Sequence, residues 1–423
     1  MIGSARPPPA RPTRNAVVIA AGILATGLGW PGLIGRLPFG LLLKNGLRLA
    51  PEQVAAFWAV GTLAWYLKPA VGLLCDAWPI FGTRRGGYML GGAVVAAVSW
   101  AAFGVLPRTL GVLMTVMTLL NLGLVVVSVS VGGALVEEGQ RRGATGRLSA
   151  LRTALEGIMQ LVAGPLGGLL AVTAFVVTAL SGALIVALFL IVALLLYQEP
   201  GRAPATAAAV WATTRAHLRT IVRSRSMWMT SLLIFLVFLS PGLQTPLLYY
   251  QQDVLKLDAR FMGILQLAGG AGVLAGAAVY AWLCRRLPLW WTLVGGIVLN
   301  AATALAFLAY RSATAALVIQ VTVGLIGAVA TLPLYDLAVR ATPKGSESFG
   351  FALMMSVRDI ALFAISDPLG SLLYGRLHLG FDKLVLANAG STLAVLLFVP
   401  FLPAVLLSPR EGGAGGGGGR RVA

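Results

Sequence analysis

Acidic residues are scarce in this chain: 14 Asp and Glu stand against 32 Lys and Arg, and charged residues of both signs make up only 11% of the sequence. Soluble domains carry about 25% charged residues, so a water-facing globule is excluded. The mean hydropathy of +0.87 points instead to a chain that crosses lipid repeatedly. The only two cysteines, Cys75 and Cys284, exclude a disulfide framework and a thiolate metal site. The two histidines, His217 and His378, fall in predicted loops and form no ligand cluster, so no metal or cofactor is expected. A Ser/His/Asp set, an HExxH motif and paired carboxylates are all missing, which argues against an enzyme. The glycine run at 269–276 lies inside an apolar segment with no Lys-Ser/Thr pair after it, so it is read as helix packing and not as a phosphate loop. A net charge of +18 could suit nucleic acid, but no basic and aromatic residues are interleaved as a strand-binding surface requires. No small-residue cleavage site follows a short apolar core, so no cleaved signal is expected.

Long apolar runs are what is present. The first, at about 15–44, exceeds the ~30 Å of a hydrocarbon layer at ~1.5 Å per residue and is expected to tilt or kink at Pro31 and Pro38. Further helices are predicted near 51–75, 87–106, 109–136, 147–173, 175–197, 227–250, 260–284, 288–309, 313–338, 347–375 and 384–407. The expected fold is therefore all-α and polytopic, with twelve transmembrane helices. Its predicted parts are a basic tail (1–14), an N-terminal six-helix bundle (15–197), a basic linker (198–226), a C-terminal six-helix bundle (227–407) and a glycine-rich tail (408–423). With the N-terminus inside, the loops bearing Arg84 and Arg85, Arg141 and Arg142, Arg285 and Arg286, and Arg340 and Lys344 share one side with the linker and both tails. They outnumber Lys44, Arg48, Arg108, Lys256, Arg260, Arg311, Arg376 and Lys383 opposite, so both termini are expected in the cytoplasm of an inner (plasma) membrane.

The stretch at 65–85, WYLKPAVGLLCDAWPIFGTRR, organises the chain. It places Lys68 in an apolar helix, Asp76 at the helix exit, then a tight turn leading to Arg84 and Arg85. An internal repeat accompanies it. LPFGLLLKNGLRL (37–49) aligns with TPLLYYQQDVLKL (245–257), setting Pro38 on Pro246 and Arg48 on Lys256. Gly72 and Asp76 align with Gly276 and Tyr280, so the second copy has lost its acid.

The spacing from Gly72 through Asp76 and Gly82 to Arg84-Arg85 resembles the loop between helices 2 and 3 of the major facilitator superfamily. The runs LRLAPEQ (47–53), WYLKPAVGLLCD (65–76), PIFGTRR (79–85) with Tyr88, and LPLYDLAVRATPKGSESFGFALMMSV (332–357) look like the folate-biopterin transporter family of that superfamily. The resemblance implies two parallel six-helix bundles around a solute path, a monomer, and a gate latch formed by Asp76, Gly82, Arg84 and Arg85. One departure stands out. The fourth helix has Val129 and Gly133 where the family carries two aspartates, leaving Glu137 and Glu138 at its end.

Ions inside the apolar runs are the candidate solute contacts, since each costs ~2.5–3.5 kcal/mol at a helix centre unless paired or facing a cavity. Arg152, Glu156 and Gln160 fall on one stripe that continues into Gly164 and Gly168. Arg358, Asp359 and Asp367 lie in the eleventh helix, the two acids about 80° apart if the helix is uniform. Lys68 either reaches the site or snorkels to the headgroups. Ion pairing alone, as of Arg152 with Glu156 or of Arg358 with Asp336, is the alternative. Asn121 and Ser128 are expected to make helix-packing contacts, and Trp65 and Tyr66 to stack on a planar ligand or anchor at the interface. The reading reached is a secondary transporter of a small organic anion or a pterin-like heterocycle, working by alternating access with H⁺. A generic exporter of the same superfamily, or a non-transporting accessory factor, is the alternative. Asp76→Asn is expected to slow uptake in membrane vesicles well below the wild-type rate, and an unchanged rate would remove Asp76 from the gate.

Overall fold

The computed structural model describes residues 14–78, 80, 83, 85–142, 155, 158–159, 162–198, 212, 215, 219–284, 286–342 and 347–401. It is a twelve-span, all-helical membrane protein of two six-helix bundles. Among the described residues, nine helices are long and apolar enough to cross a membrane, from Gly86–Val105 to Phe381–Phe401. The remaining spans are built from shorter pieces: Arg14–Leu28 and Arg36–Leu41 for the first, Pro51–Gly61 and Lys68–Ala77 for the second, Val162–Ala171 for the fifth. The basic tail, most of the linker and the glycine-rich tail lie outside the described residues. Helix Phe175–Leu196 displays the lipid-facing pattern: Leu180, Leu184, Leu188, Ile191 and Leu195 are more than half exposed, while Ala179, Gly182, Val186 and Phe189 on the opposite stripe are buried.

Among the described residues, the first, second, seventh and eleventh spans are interrupted. The first stops at Leu28 and restarts at Arg36, so the expected kink is a full break around Pro31, while Pro38 lies inside the second piece. The second span breaks at Thr62, whose hydroxyl donates to the Trp58 carbonyl at 2.7 Å. It breaks again at Leu67, just before Pro69, which has no N–H to continue the ladder. The seventh pauses at residues 240–243 between Arg225–Leu239 and Gln244–Asp253. In the eleventh, Ile360–Ser366 widens into π-type turns. The repeat seen in the sequence is matched in the backbone. Arg48 and Lys256 both adopt φ 53°, each between two leucines whose amides return to carbonyls of the preceding helix. His378 does the same at φ 49° after the eleventh span.

Aromatic packing fills the first bundle. Phe39 lies with its ring centroid 4.9 Å from those of Phe103 and Phe175, and Trp58 and Trp100 close around it. Asn15 and Gln198 exchange two 3.0 Å hydrogen bonds, tying the start of the first span to the end of the sixth. In the second bundle the glycine run does pack helices, as expected. A Cβ on Gly272 or Gly276 would fall 2.2 Å from the Val321 carbonyl or 2.1 Å from that of Leu325 on the tenth span.

The bundles meet along two seams. The second span lies against the eleventh over most of its length. The fifth crosses the eighth at Gly164 and Gly168, where Gly263 approaches so closely that its Cβ would lie 2.5 Å from the Gly168 Cα. Small residues are what such an approach needs. Lys44 closes one end of the interface with a 2.5 Å ion pair to Asp253 and by lying over the Tyr249 ring, whose hydroxyl donates to the Leu49 carbonyl. Gly263→Leu should force the fifth and eighth spans apart. We expect at least a tenfold loss of uptake per molecule in reconstituted vesicles, with Gly263→Ala intermediate, and equal rates would show that the crossing can yield.

Candidate functional site

The interruption of the second span turns Trp65, Tyr66 and Lys68 toward the middle of the molecule. Lys68 Nζ donates to Ser128 Oγ at 3.1 Å and lies 5.0 Å from the centre of the Trp65 ring. Trp65 Nε1 donates to Asn121 Oδ1 at 2.7 Å. Asn121 and Ser128 therefore hold side chains of the second span by helix-to-helix hydrogen bonds. Tyr66 is held locally, its hydroxyl sharing a 2.9 Å hydrogen bond with Thr62 and donating to the Ala59 carbonyl.

Across the seam, the eleventh span presents Arg358 and Asp359 just before its π-type segment. Arg358 Nε donates to Asp359 Oδ1 at 2.9 Å, a second guanidinium nitrogen donates to the Tyr335 hydroxyl, and the cation lies 5.9 Å from the rings of Phe238 and Tyr335. The side chains are 26% and 13% exposed. The counter-ion is the adjacent residue and not Asp336, which pairs with Arg340 one turn along its own helix at 2.9 Å. Removing one partner of such a pair would leave an uncompensated buried charge. Ser356 donates to the Trp65 carbonyl at 3.4 Å. Phe363, one turn beyond Asp359, meets Trp30 from the break in the first span, and Trp30 meets Trp65. Cations, a carboxylate and aromatic rings from both halves thus converge, as a planar anion would require.

Asp367 does not join this cluster. The wide turns between Ile360 and Ser366 change the helical phase, so the separation expected for a uniform helix does not hold. Asp367, 2% exposed, accepts from the Thr245 amide at 2.9 Å and the Thr245 hydroxyl at 2.7 Å, and pairs with Arg36 of the first span at 3.5 Å. It thus caps the restart of the seventh span and links the bundles. Its place is a joint and not the aromatic cluster. Arg36, whose guanidinium lies 4.6 Å over Trp58, was legible as a costly intramembrane cation but was not among the proposed contacts. Tyr335, Thr245 and Trp30 carried no comparable signal.

Arg152, Glu156 and Gln160 lie outside the described residues, as do Gly82, Arg84 and the side chain of Asp76. Of the latch residues, Arg85 is described. Its guanidinium donates to Glu137 at 2.8 Å and fills the space above Gly133, where a Cβ would overlap it. Ile80 and Thr83 close the turn with two 3.0 Å backbone hydrogen bonds, and the Tyr88 hydroxyl donates to the Trp78 carbonyl at 2.6 Å. The loop between the second and third spans is thereby fastened to the fourth.

Comparison with known proteins agrees with this architecture. The BT1 family model matches residues 32–410. The folate-biopterin transporter of Synechocystis sp. is 26% identical over 393 residues, covering 88% of this chain and 78% of that protein. Among solved structures, a D-xylose-proton symporter superimposes with a TM-score of 0.72 at 16% identity, over 92% of this chain and 97% of that one. The inward-open xylose transporter XylE from E. coli gives 0.66 at 14% identity, over 92% and 95%. At such identities the two structures speak for the fold alone, whereas the match over residues 32–410 decides the lineage: the chain is a membrane transporter and belongs to the BT1 family.

Proposed function

We propose that the protein is a monomeric secondary transporter of a small, planar organic anion of the folate or pterin type, coupled to H⁺ and working by alternating access. Residues 15–197 and 227–407 are the two moving halves, with both termini in the cytoplasm of the inner (plasma) membrane. The observation that carries this reading is the contact between the halves where Ser356 donates to the Trp65 carbonyl: the Arg358–Asp359 pair follows Ser356 within one helical turn and Lys68 lies 5.0 Å from the Trp65 ring centre, amid Trp30 and Phe363. Arg358 and Lys68 would hold a carboxylate and the rings a flat heterocycle. Asp359 would carry the proton: once neutralised, it frees Arg358 for the solute. Arg152, Glu156 and Gln160 are proposed to face the same path, and Asp76, Gly82, Arg84 and Arg85 to latch it. Export of a different metabolite is the second reading, favoured by Gly133, whose site is filled by the Arg85 guanidinium instead of an acidic side chain.

Reconstituted vesicles given labelled folate, biopterin or benzoate, with and without an inward proton gradient, test the proposal. Accumulation above equilibrium is expected only with the gradient. A charge-assisted hydrogen bond contributes ~1.5–3 kcal/mol, so Arg358→Ala should lower kcat/KM by roughly 10- to 100-fold. Asp359→Asn should move solute downhill without accumulating it. Wild-type uptake by Arg358→Ala at equal membrane level would remove Arg358 from the site, and gradient-independent uptake would remove the coupling.

A further inference from the structure

Trp30 sits in the break of the first span, where the helical ladder is absent and every polar group needs another partner. The neighbouring groups have found theirs. The Gly29 carbonyl accepts from Trp100 Nε1 at 2.8 Å, and the Trp30 carbonyl accepts from the Leu33 amide at 2.9 Å. Other indoles are satisfied too: Trp65 donates to Asn121, and Trp228 to the Val222 carbonyl at 3.0 Å. The Trp30 indole nitrogen, by contrast, is buried and has no hydrogen-bond partner among the described residues. A buried donor left unsatisfied is costly, and it persists where function requires it.

The ring cannot easily turn to find an acceptor. Its centroid lies 6.2 Å from that of Trp65 and 6.1 Å from that of Phe363, both edge-on. Its six-membered ring lies over Gly32, where a Cβ would come within 2.4 Å of Cζ2. Trp65 and Phe363 are each within about one helical turn of a charged group, Lys68 and Asp359. Lys68 itself lies 5.0 Å from the Trp65 ring centre. The Trp30 ring thus lies against Trp65 of one half and Phe363 of the other, next to the charged cluster.

We propose that the Trp30 Nε1–H donates a hydrogen bond to the transported solute. This rests on the assignment of the cluster of Lys68, Arg358 and Asp359 as the solute site and narrows the solute class. The solute is a flat aromatic ring system with a hydrogen-bond acceptor, a ring nitrogen or ring carbonyl, on one edge. Gly32 is the positioning residue, because its missing side chain lets the indole lie flat.

Uptake kinetics of Trp30→Phe in reconstituted vesicles test the assignment, since phenylalanine keeps the ring face and removes the donor. KM for folate and biopterin should rise roughly 5- to 15-fold, while benzoate, which has no ring acceptor, should keep its KM. Gly32→Ala should reproduce this selective loss. On the wild type, pterin analogues with each ring acceptor removed in turn should include one with the same 5- to 15-fold rise, and this arm decides should the variants fail to reach the membrane. Uptake of folate or biopterin with an unchanged KM in Trp30→Phe, or equal KM values across the analogue series, overturns the role of Trp30 alone. A wild type that takes up neither folate nor benzoate overturns the anion assignment and the inference with it.

Discussion

Backbone that leaves the helical ladder inside hydrocarbon frees N–H and C=O groups which lipid cannot bond, so each must find a protein partner. This molecule interrupts its first, second, seventh and eleventh spans, and the partners it supplies determine where everything else goes. Trp100 reaches across to the Gly29 carbonyl. The Gly242 amide donates to the Ser366 carbonyl at 2.8 Å, Ser366 donates to the Ser240 carbonyl at 2.6 Å, and Asn388 donates to the Pro241 carbonyl at 2.9 Å. The breaks in the seventh and eleventh spans therefore satisfy one another. A Cβ at Gly370 would lie 1.9 Å from the Gly242 carbonyl oxygen, so that mutual satisfaction needs two glycines. Interrupted helices are tolerated only against protein or a wet cavity, and here they line the seam between the halves.

Charge follows the same logic on a larger energy scale. Arg36, Arg358, Asp359 and Asp367 all lie deep in apolar sequence, and each meets an ion of opposite sign. The two pairs differ in character. Asp367 is saturated by Thr245 and Arg36, an arrangement that joins the seventh, eleventh and first spans and leaves the carboxylate little capacity for a ligand. Arg358 and Asp359 lie beside Tyr335, near Lys68 and among aromatic rings, where a solute carboxylate could take over the place of Asp359. A joint and a proposed site thus sit on one helix, separated by the wide turns of Ile360–Ser366.

The twofold build is closest where function is least specialised. Arg48 and Lys256 share a left-handed backbone at equivalent helix ends, in a conformation for which glycine is the usual choice. In contrast, the cytoplasmic latch proposed for the first half has no acid in the second, where Tyr280 stands at the position of Asp76. Gly133 illustrates a related divergence. The space over it is taken by Arg85, which pairs one helical turn away with Glu137.

What could be read from residues alone follows from period and cost. Long apolar runs had to be membrane spans, Pro31 had to disturb the first of them, and Arg358 and Asp359 had to be neutralised inside protein. Glycines at 272 and 276 were legible as packing positions because the side chain they lack is what close approach demands. Other features were settled only by the tertiary arrangement. IALFAIS contains neither proline nor glycine, so nothing local announces the π-type turns that send Asp359 and Asp367 to different partners. Lys68 could have snorkelled, and its hydrogen bond to Ser128 and its place over the Trp65 ring came only with the fold. The roles of Arg36, Thr245 and Trp30 depend on contacts between residues far apart in the chain. Hydrophobicity is a property of a segment and survives in one dimension, whereas the partner of a buried charge or donor is set by which helices the fold brings together.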